Sequence, residues 1–304
     1  MVILHMSRIL VSGASGMLGS ALLPTLKAGG AQVARLSRPG ASSRNSEQSI
    51  LWDPSHAISP EMVSGFDAVI HLAGESIVGR WTPAKKARIC DSRIPATTHL
   101  ARALAQAKEK PGVFICASAI GYYGNRGDEV LNEESAAGVG FAADLARQWE
   151  AATDSAVKAG IRTVQMRIGV VLGASGGALP KMLPPFKMGV GGRLGNGRHW
   201  MSWVDVHDVV GAIHHILKTD LLQGPVNVVA PKPVTNGEFT KILASTLSRP
   251  AIFPVPAFAA RLAFGQMADE LLLASQRVEP AKLISSGYPF RFADLRASLE
   301  NILH

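Results

Sequence analysis

Three glycines, Gly13, Gly16 and Gly19, follow an apolar run in "ILVSGASGMLGSALL" (Ile9–Leu23). Glycines at this spacing are suited to holding a phosphate. A turn that leaves a strand needs a residue tolerant of positive φ, and Gly13 supplies it. Gly16 lets the backbone come up against a pyrophosphate, and Gly19 lets the next helix lie close to the strand. The helix start then offers free N–H groups and a positive dipole end to the anion. The alternative is an ordinary tight turn. A strand before and a helix after are the context that the phosphate reading requires. Ser15, Met17 and Leu18 lie in the same stretch and join the candidate phosphate site.

The ribose beyond the phosphate leaves its own trace. A site for NAD carries Asp or Glu about 20 residues further on, to accept from the 2′-hydroxyl. Between Gly13 and Asn45 there is no acidic residue, and the second apolar run ends in "ARLSR", with Arg35, Ser37 and Arg38. Guanidinium groups pair with phosphate through charge-assisted bonds. This favours NADP(H) over NAD(H); the alternative is that Arg35 and Arg38 are solvated charges. Asp53, in "ILWDP", either accepts from an adenine amino group or makes an Asp-Pro turn. The ends of two later strands, Leu72, Ala73 and Gly74 on one and Ile168 on the other, complete the expected cofactor set.

The elements that must position these residues follow from the pattern. Candidate strands are Arg8–Ser12, Gln32–Leu36, Ile50–Trp52, Ala68–Leu72, Val113–Ala117 and Thr163–Val171. Several are almost wholly apolar, as strands covered on both faces must be. Helical patterns lie between them, near Leu18–Ala28, Pro95–Lys108 and Phe141–Ala159. The alternation implies right-handed crossovers and a parallel sheet. From about Gly173 the chain turns rich in Gly and Pro, Thr235 and Glu238 form a capping box, and Ala257–Leu303 reads as mostly helical. The expectation is an α/β chain. A doubly wound, Rossmann-type domain spans 1–172, with later strands from about 200–230 returning to it. A smaller C-terminal substrate lobe, mostly helical, spans 173–304 and is interwoven with the first.

The totals narrow the field. The chain has 304 residues, 47% hydrophobic and 18% charged, enough for a sizeable core. No run of eighteen apolar residues occurs, so no membrane span and no membrane partner is expected. Met1–Met6 lacks a basic stretch and a cleavage site, which argues against a secretory leader, and Met6 is an alternative start. Cys90 and Cys116 suggest neither a disulfide framework nor zinc, and a reducing, cytoplasmic setting is expected. The net charge of +8 is scattered along the chain, which favours anionic small ligands over nucleic acid. His214 and His215 are adjacent on a predicted helix and point about 100° apart, so no metal site is expected there or elsewhere. The expected partner is a small molecule, with a homodimer left open.

Longer motifs carry a resemblance. With the glycine turn, "VIHLAG" (Val69–Gly74) and "SAIGYYG" (Ser118–Gly124) in order, the chain resembles an extended short-chain dehydrogenase/reductase. "HLAGESIVGRWTPAKKARICDSR" (His71–Arg93), "GNGRHWMSWVDVHDVV" (Gly195–Val210) and the tail motifs are similar to one branch more closely. That branch is an epimerase-like family related to sugar-nucleotide epimerases, with a short C-terminal domain of unknown function. The resemblance covers nearly the whole chain. It implies a seven-stranded sheet and bound NADP(H), and it names no substrate.

The wider superfamily also implies a Tyr-x-x-x-Lys pair, a proton-transferring tyrosine with a lysine one helical turn on. No such pair exists: four residues after Tyr122, Tyr123 and Tyr288 stand Arg126, Gly127 and Phe292. In "FAADLARQWE", Phe141 and Leu145 occupy the two positions and are expected to face the nicotinamide. Ser118 stands where the superfamily places a substrate-binding serine. Of Tyr122 and Tyr123 one is expected to face the substrate and the other the core; Tyr123 is assigned with Ser118 to catalysis and Tyr122 to the substrate. Glu75 follows the fourth strand, at the crevice of an open α/β sheet, where a solvated carboxylate is the alternative. Arg80 beside Trp81, and Arg198 near Trp200, suit a stacked, anionic ligand, with surface charge as the alternative. Lys85, Arg93, Lys187 and Arg193 are weaker candidates for the same pocket. Against the family pattern, Asp205 and His207 stand exchanged, which argues for a structural His207. The leading reading is an NADP(H)-dependent oxidoreductase or epimerase-like enzyme acting on a small, anionic or nucleotide-sugar-like substrate. The second is a non-catalytic, NADP(H)-responsive regulator of a protein partner.

Overall fold

The structure, a computed structural model, describes residues 7–40 and 49–304; the alternative start at Met6 lies outside them. Seven parallel strands form one sheet: β1 Arg8–Ser12, β2 Gln32–Ser37, β3 Ser49–Leu51, β4 Ala68–His71, β5 Val113–Ala119, β6 Arg162–Ile168 and β7 Gly224–Val228. They lie in the order 3-2-1-4-5-6-7. The central strands are the apolar ones: all four residues of β4 are buried, as are the first six of β5. Both faces are covered, so alternation with polar residues is absent. The main helices used below are α1 Met17–Ala28, α2 Pro83–Asp91, α3 Ile94–Gln106, α4 Phe141–Ala151, α5 Leu179–Lys187, α6 Val206–Lys218, α7 Asn236–Thr246, α8 Ala257–Phe264 and α9 Leu295–Leu303. Helices α1 and α6 pack together, and α3 packs with α4 and with the short helix Asp154–Lys158.

Two long elements read from the sequence are broken. The run Thr163–Val171 ends as a sheet strand at Ile168, and Val170–Leu172 pairs instead with Trp203–Asp205. The break falls at Gly169, where a Cβ would lie 2.6 Å from the Ser202 carbonyl oxygen and 2.8 Å from Val229. The helix expected over Phe141–Ala159 stops at Ala151 and restarts at Asp154, with the Thr153 hydroxyl turned back to the Glu150 carbonyl. The tail beyond Ala257 is helical only in pieces, interrupted by an extended pair of Arg277–Val278 with Val130–Leu131. Strand β7 was not given bounds among the apolar runs; it falls within the later strands expected to return to the sheet from about 200–230. Its five residues include Gly224 at positive φ, Pro225 and a buried Asn227, which mask the apolar signal. The capping box is present: Glu238 N–H donates to Thr235 Oγ1 at 3.3 Å, and Thr235 N–H to Glu238 Oε2 at 2.7 Å.

The C-terminal segment is tied to the sheet domain through two buried aspartates at the start of α6. Asp205 caps the helix through His207 N–H at 2.8 Å and accepts from the Ser298 hydroxyl at 2.6 Å. His207 Nδ1 lies 2.8 Å from the same carboxylate, so it is held structurally. Asp208 accepts from the Tyr288 hydroxyl at 2.9 Å and from Arg291 and Phe292 N–H, each at 2.8 Å. Removing a carboxylate that satisfies this many buried donors leaves each of them desolvated and unpaired. Asp208→Ala is expected to lower the unfolding free energy by about 3 kcal/mol, on the scale of a lost charged hydrogen-bond set. Urea unfolding followed by circular dichroism checks this; a loss below about 1 kcal/mol, no more than one ordinary hydrogen bond, would show that the tether lies elsewhere.

Candidate functional site

The parallel strands all end at one edge, and the site is built there. Gly13, directly after β1, has φ +71°, and a Cβ on it would lie 2.6 Å from the carbonyl carbon of Leu72. The turn therefore touches the backbone after β4, at Leu72–Ala73. A Cβ on Gly19 would stand 2.4 Å from the Gly13 carbonyl oxygen and 2.6 Å from Ala14 Cα, so α1 presses on the turn. Gly16 differs. It is exposed, it caps α1 without any side-chain bond, and a Cβ there would meet only the Gly13 oxygen, at 3.3 Å. Two glycines thus close the turn against protein and the third leaves its outer side open. Helix α1 has no acidic residue in its first turn, so its own sequence does not offset its positive end. Ser15 is exposed, Leu18 is half-buried, and the Met17 thioether covers Gly173, Gly176 and Gly177. Beside this turn a cleft of about 320 Å³ opens between Met17, Ser20, Ser175, His207 and Asn301. A larger cleft, about 460 Å³, lies near Arg8 and Phe66 at the opposite end of the strands, away from the glycine turn.

At the end of β2, Arg35 is half-buried in register between Val11 and Ser49, Ser37 accepts from Trp52 N–H through its carbonyl, and Arg38 is exposed just beyond. Asp53 is engaged in its own turn: Oδ1 accepts from Ser55 N–H at 3.0 Å and Ser55 Oγ–H at 2.7 Å. Of its two readings the turn is the one the geometry displays. Glu75, after β4, pairs with Lys85 Nζ at 2.8 Å, and this bond holds its carboxyl below the usual range, with Arg88 and Arg38 adding to the effect. Arg38 and the loop after β4 therefore share one rim. Arg93 is buried, donates to the Glu75 carbonyl at 2.9 Å and lies over the Trp149 ring. Lys85 and Arg93 hold this loop in place.

Ser118 and Tyr123 meet in a network that sequence reasoning had not connected. Arg167 on β6 is in register with Ser118 on β5. Its guanidinium binds Glu150 of α4 through both arms, Nε and Nη2 each at 2.8 Å. The Ser118 hydroxyl donates to the same carboxylate at 2.7 Å. Arg167 Nη1 donates to the Tyr123 hydroxyl at 3.0 Å, which in turn donates to Asn227 of β7 at 2.7 Å. Tyr123 is wholly buried, and burial pushes its phenol up. This corrects its assignment as proton donor: its proton is committed to an internal partner, and no face is open to a substrate. Tyr122 is the better placed of the pair. Its ring is half-buried, with the Arg167 guanidinium 3.4 Å from the centroid, and no hydrogen bond among the described residues uses its hydroxyl. Glu150, Arg167 and Asn227 were missed. The available signal was Arg167 itself, a charge within the apolar run "TVQMRIG".

The region expected to hold an aromatic sandwich is a packed corner. Trp81 is buried, donates its indole N–H to the Ile77 carbonyl at 2.8 Å and meets Phe141 edge-on at 4.9 Å. Ile89, Leu145 and Met267 complete the cluster. Arg80 turns away to the Leu262 carbonyl at 2.9 Å. Trp81 thus serves packing and the exposed Arg80 a backbone contact, which corrects their reading as a stacking pair. The second pair is also rearranged: the guanidinium over Trp200, 4.5 Å from its centroid, belongs to Arg277, while Arg198 is exposed and the Trp200 N–H goes to Asp128. Phe141 begins α4, where Ala142 N–H is met by the Glu270 carboxylate at 2.7 Å from the C-terminal segment.

His71 closes β4 beside the glycine turn, with Nδ1 2.5 Å from Ser12 Oγ. It is fully buried, and burial lowers its pKa to about 4. The unfolded chain takes up this proton near the ordinary value of 6.5 and the folded chain only near 4, so stability is full above pH 6.5 and falls as pH drops through that window. The shift amounts to about 3 kcal/mol across it. Urea unfolding at pH 7, 5.5 and 4.5 is expected to show a slope that His71→Gln flattens by most of this amount; parallel slopes in parent and variant would remove His71 as the cause.

Comparison with known proteins agrees with this geometry. Residues 9–229 match the model of the NAD dependent epimerase/dehydratase family, and residues 255–302 match a domain of unknown function, DUF1731. The chain is 42% identical over 284 residues to the epimerase family protein Mb2239 of Mycobacterium bovis, covering 93% of each. It is 38% identical to the epimerase family protein YfhF of Bacillus subtilis over 97% of each chain. A crystal structure of the human epimerase family protein SDR39U1 with NADPH superposes with a TM-score of 0.86 at 32% identity, covering 97% of this chain and 98% of that one. A glycine turn closed against the backbone after β4, on a 3-2-1-4-5-6-7 sheet carrying a tethered C-terminal segment, together with likeness along the whole chain, places this protein in the NAD dependent epimerase/dehydratase family.

Proposed function

We propose that this chain binds NADP(H) at the glycine turn and acts as an epimerase-like oxidoreductase on a small, anionic or nucleotide-sugar-like substrate. The observation that carries the reading is the turn itself. Gly13 and Gly19 are closed against backbone, Gly16 is open, and the helix that starts there has no acidic residue in its first turn. The turn would take the pyrophosphate, Arg35, Ser37 and Arg38 the 2′-phosphate, and Leu72–Gly74 with Ile168 the inner wall. The human relative solved with NADPH supports the same cofactor. Bound there, the nicotinamide supplies hydride transfer.

The chain's own groups supply the rest. Ser118, buried at the end of β5, gives its proton to Glu150 and keeps its lone pairs as acceptors for a substrate hydroxyl that reaches it. Tyr122, fixed by Arg167 against its ring, offers its hydroxyl for proton transfer in place of the absent Tyr-x-x-x-Lys pair. Positioned acid–base help of this kind is worth about 10²–10⁴-fold. The free thiols of Cys90 and Cys116 suit a reducing compartment, and we assign the protein to the cytoplasm. The second reading, an NADP(H)-responsive regulator without turnover, draws support from the Trp81–Phe141–Leu145–Met267 cluster, which takes up Phe141 and Leu145, the residues that the resemblance aligns with the family pair.

Titration is expected to show NADPH binding at least tenfold tighter than NADH, since one lost charge-assisted phosphate pair is worth about 1.5–3 kcal/mol. Arg38→Ala should narrow the gap, and Gly16→Val should abolish binding while the melting curve persists. Equal affinities in the parent chain would defeat the NADP(H) assignment. Separately, NADPH turnover against a panel of carbonyl and nucleotide-sugar compounds should fall about 10²-fold or more in Tyr122→Phe, on the scale of lost acid–base help, and remain in Tyr123→Phe. Full turnover in Tyr122→Phe would remove Tyr122 from the chemistry; tight NADPH binding with no turnover in the parent would favour the regulator.

A further inference from the structure

Helix α8, "AFAARLAF", is almost wholly apolar, yet only Ala260 of its residues is buried. Phe258 is 70% exposed and Leu262, one turn on, 75%. Arg261 to Phe264 are exposed in succession, so the end of the helix stands proud of the surface. The chain leading into it exposes Ile252 at 76% and Phe253 at 64%. A second segment runs alongside: Val255 N–H donates to the Arg193 carbonyl at 2.8 Å and Gly195 N–H to the Val255 carbonyl at 2.9 Å, and this segment exposes Met188 and Val190. Exposed apolar residues scattered singly are ordinary, whereas a contiguous set marks a surface with a partner.

The charges around this set identify the partner's chemistry. Lys187, Arg193 and Arg249 are exposed on these two segments, with Gly189 packed beside Pro250, and residues 179–204 and 239–268 hold no acidic residue; Arg261 on α8 is paired with Asp269 at 2.7 Å and leaves the other three in excess. A second copy of the chain would bring this excess against itself. An anionic partner is complementary. A protruding apolar helix end needs a partner that yields around it, and a fluid bilayer does so without a preformed groove. Phe and Leu at the acyl boundary with Lys and Arg among headgroup phosphates is the arrangement of interfacial helices. No helix among the described residues is long and apolar enough to cross a membrane, and this mode needs none.

We infer that the face formed by α8 and residues 188–193 and 249–253 docks on an anionic lipid surface, with Phe258 and Leu262 inserted and the basic side chains on the headgroups. The helix is also joined to the loop after β4, through Arg80 to the Leu262 carbonyl. Docking therefore brings the C-terminal ends of the strands close to the lipid. The docking argument does not depend on the cofactor or on turnover.

The test uses the full chain with vesicles of phosphatidylglycerol and phosphatidylcholine, against phosphatidylcholine alone, in a sedimentation assay with sedimentation velocity on the chain without lipid. Binding is expected to the anionic vesicles only, and to weaken with added salt. Phe258→Ser with Leu262→Ser should abolish it with the melting curve kept. Lys187→Gln and Arg249→Gln should each weaken it roughly fivefold, the equivalent of about 1 kcal/mol per basic side chain near the surface. Absence of binding to anionic vesicles, or undiminished binding by the double serine variant, would overturn the inference. So would a parent dimer that the serine variant splits, since the occupant would then be a second copy.

Discussion

The edge of the sheet where the site lies depends on one buried ion pair, Arg167 with Glu150. Taking a guanidinium and a carboxylate out of water costs several kcal/mol per ion, and only good geometry with further hydrogen bonds offsets it. Here the pair is bidentate, and each partner has further engagements: Glu150 takes the Ser118 proton, and Arg167 reaches Tyr123, the Glu133 carbonyl and the Tyr122 ring. Five elements are thereby held in register: β5, β6, α4, the loop after β5 and, through Asn227, β7. The pair is a weak source of net stability and a strong source of specificity. A shift of α4 or β6 would leave a charge buried without its partner, and a shift of β5, β7 or the loop would leave one of its polar engagements unmade.

This arrangement reassigns the roles of the two adjacent tyrosines. They differ by one position, so in the short turn after β5 they point apart, their rings edge-on at 5.4 Å. Tyr123 joins the polar core between the strands. Tyr122 is left with its face against the guanidinium and its hydroxyl unclaimed by any described residue. On α4, the first turn is occupied by apolar contact with Trp81 and Met267 and is capped by Glu270 from the C-terminal segment. The unclaimed hydroxyl at this edge therefore lies on the loop and not on the helix.

The sheet and the glycine turn were legible because they rest on local constraints. Apolar runs covered on both faces leave a plain signal, and a turn closed by backbone contact admits only glycine, as at Gly13 and Gly19. What escaped was set by distant partners. The bounds of strand β7 hide behind Pro225 and Asn227, of which Asn227 answers to Tyr123 and not to strand periodicity. The break at Gly169 is imposed by the Ser202 backbone passing beside it, more than thirty residues along the chain. The two Arg–Trp neighbours in sequence, Arg80–Trp81 and Arg198–Trp200, do not stack in space: Trp81 is packed against Phe141 with its N–H on the Ile77 carbonyl, and Trp200 is held by the distant Asp128 and Arg277. Adjacency along the chain carries little information about stacking; a lone charge inside an apolar strand carries more.

The tethering of the C-terminal segment has a genetic consequence. Asp205, Asp208 and Glu133 belong to the sheet domain, yet the donors that satisfy them include Ser298, Tyr288, Arg291, Phe292 and Lys282. Gln276 likewise supplies the two N–H bonds that hold the Ile120 and Gly124 carbonyls on either side of the tyrosines. A stop codon placed after the last strand would therefore not release a smaller working nucleotide-binding domain. It would leave buried carboxylates without donors and a slack loop at the reactive edge, a product for proteolysis. Late truncations in this gene should behave as null alleles, and the boundary between its two family segments is one that recombination cannot use.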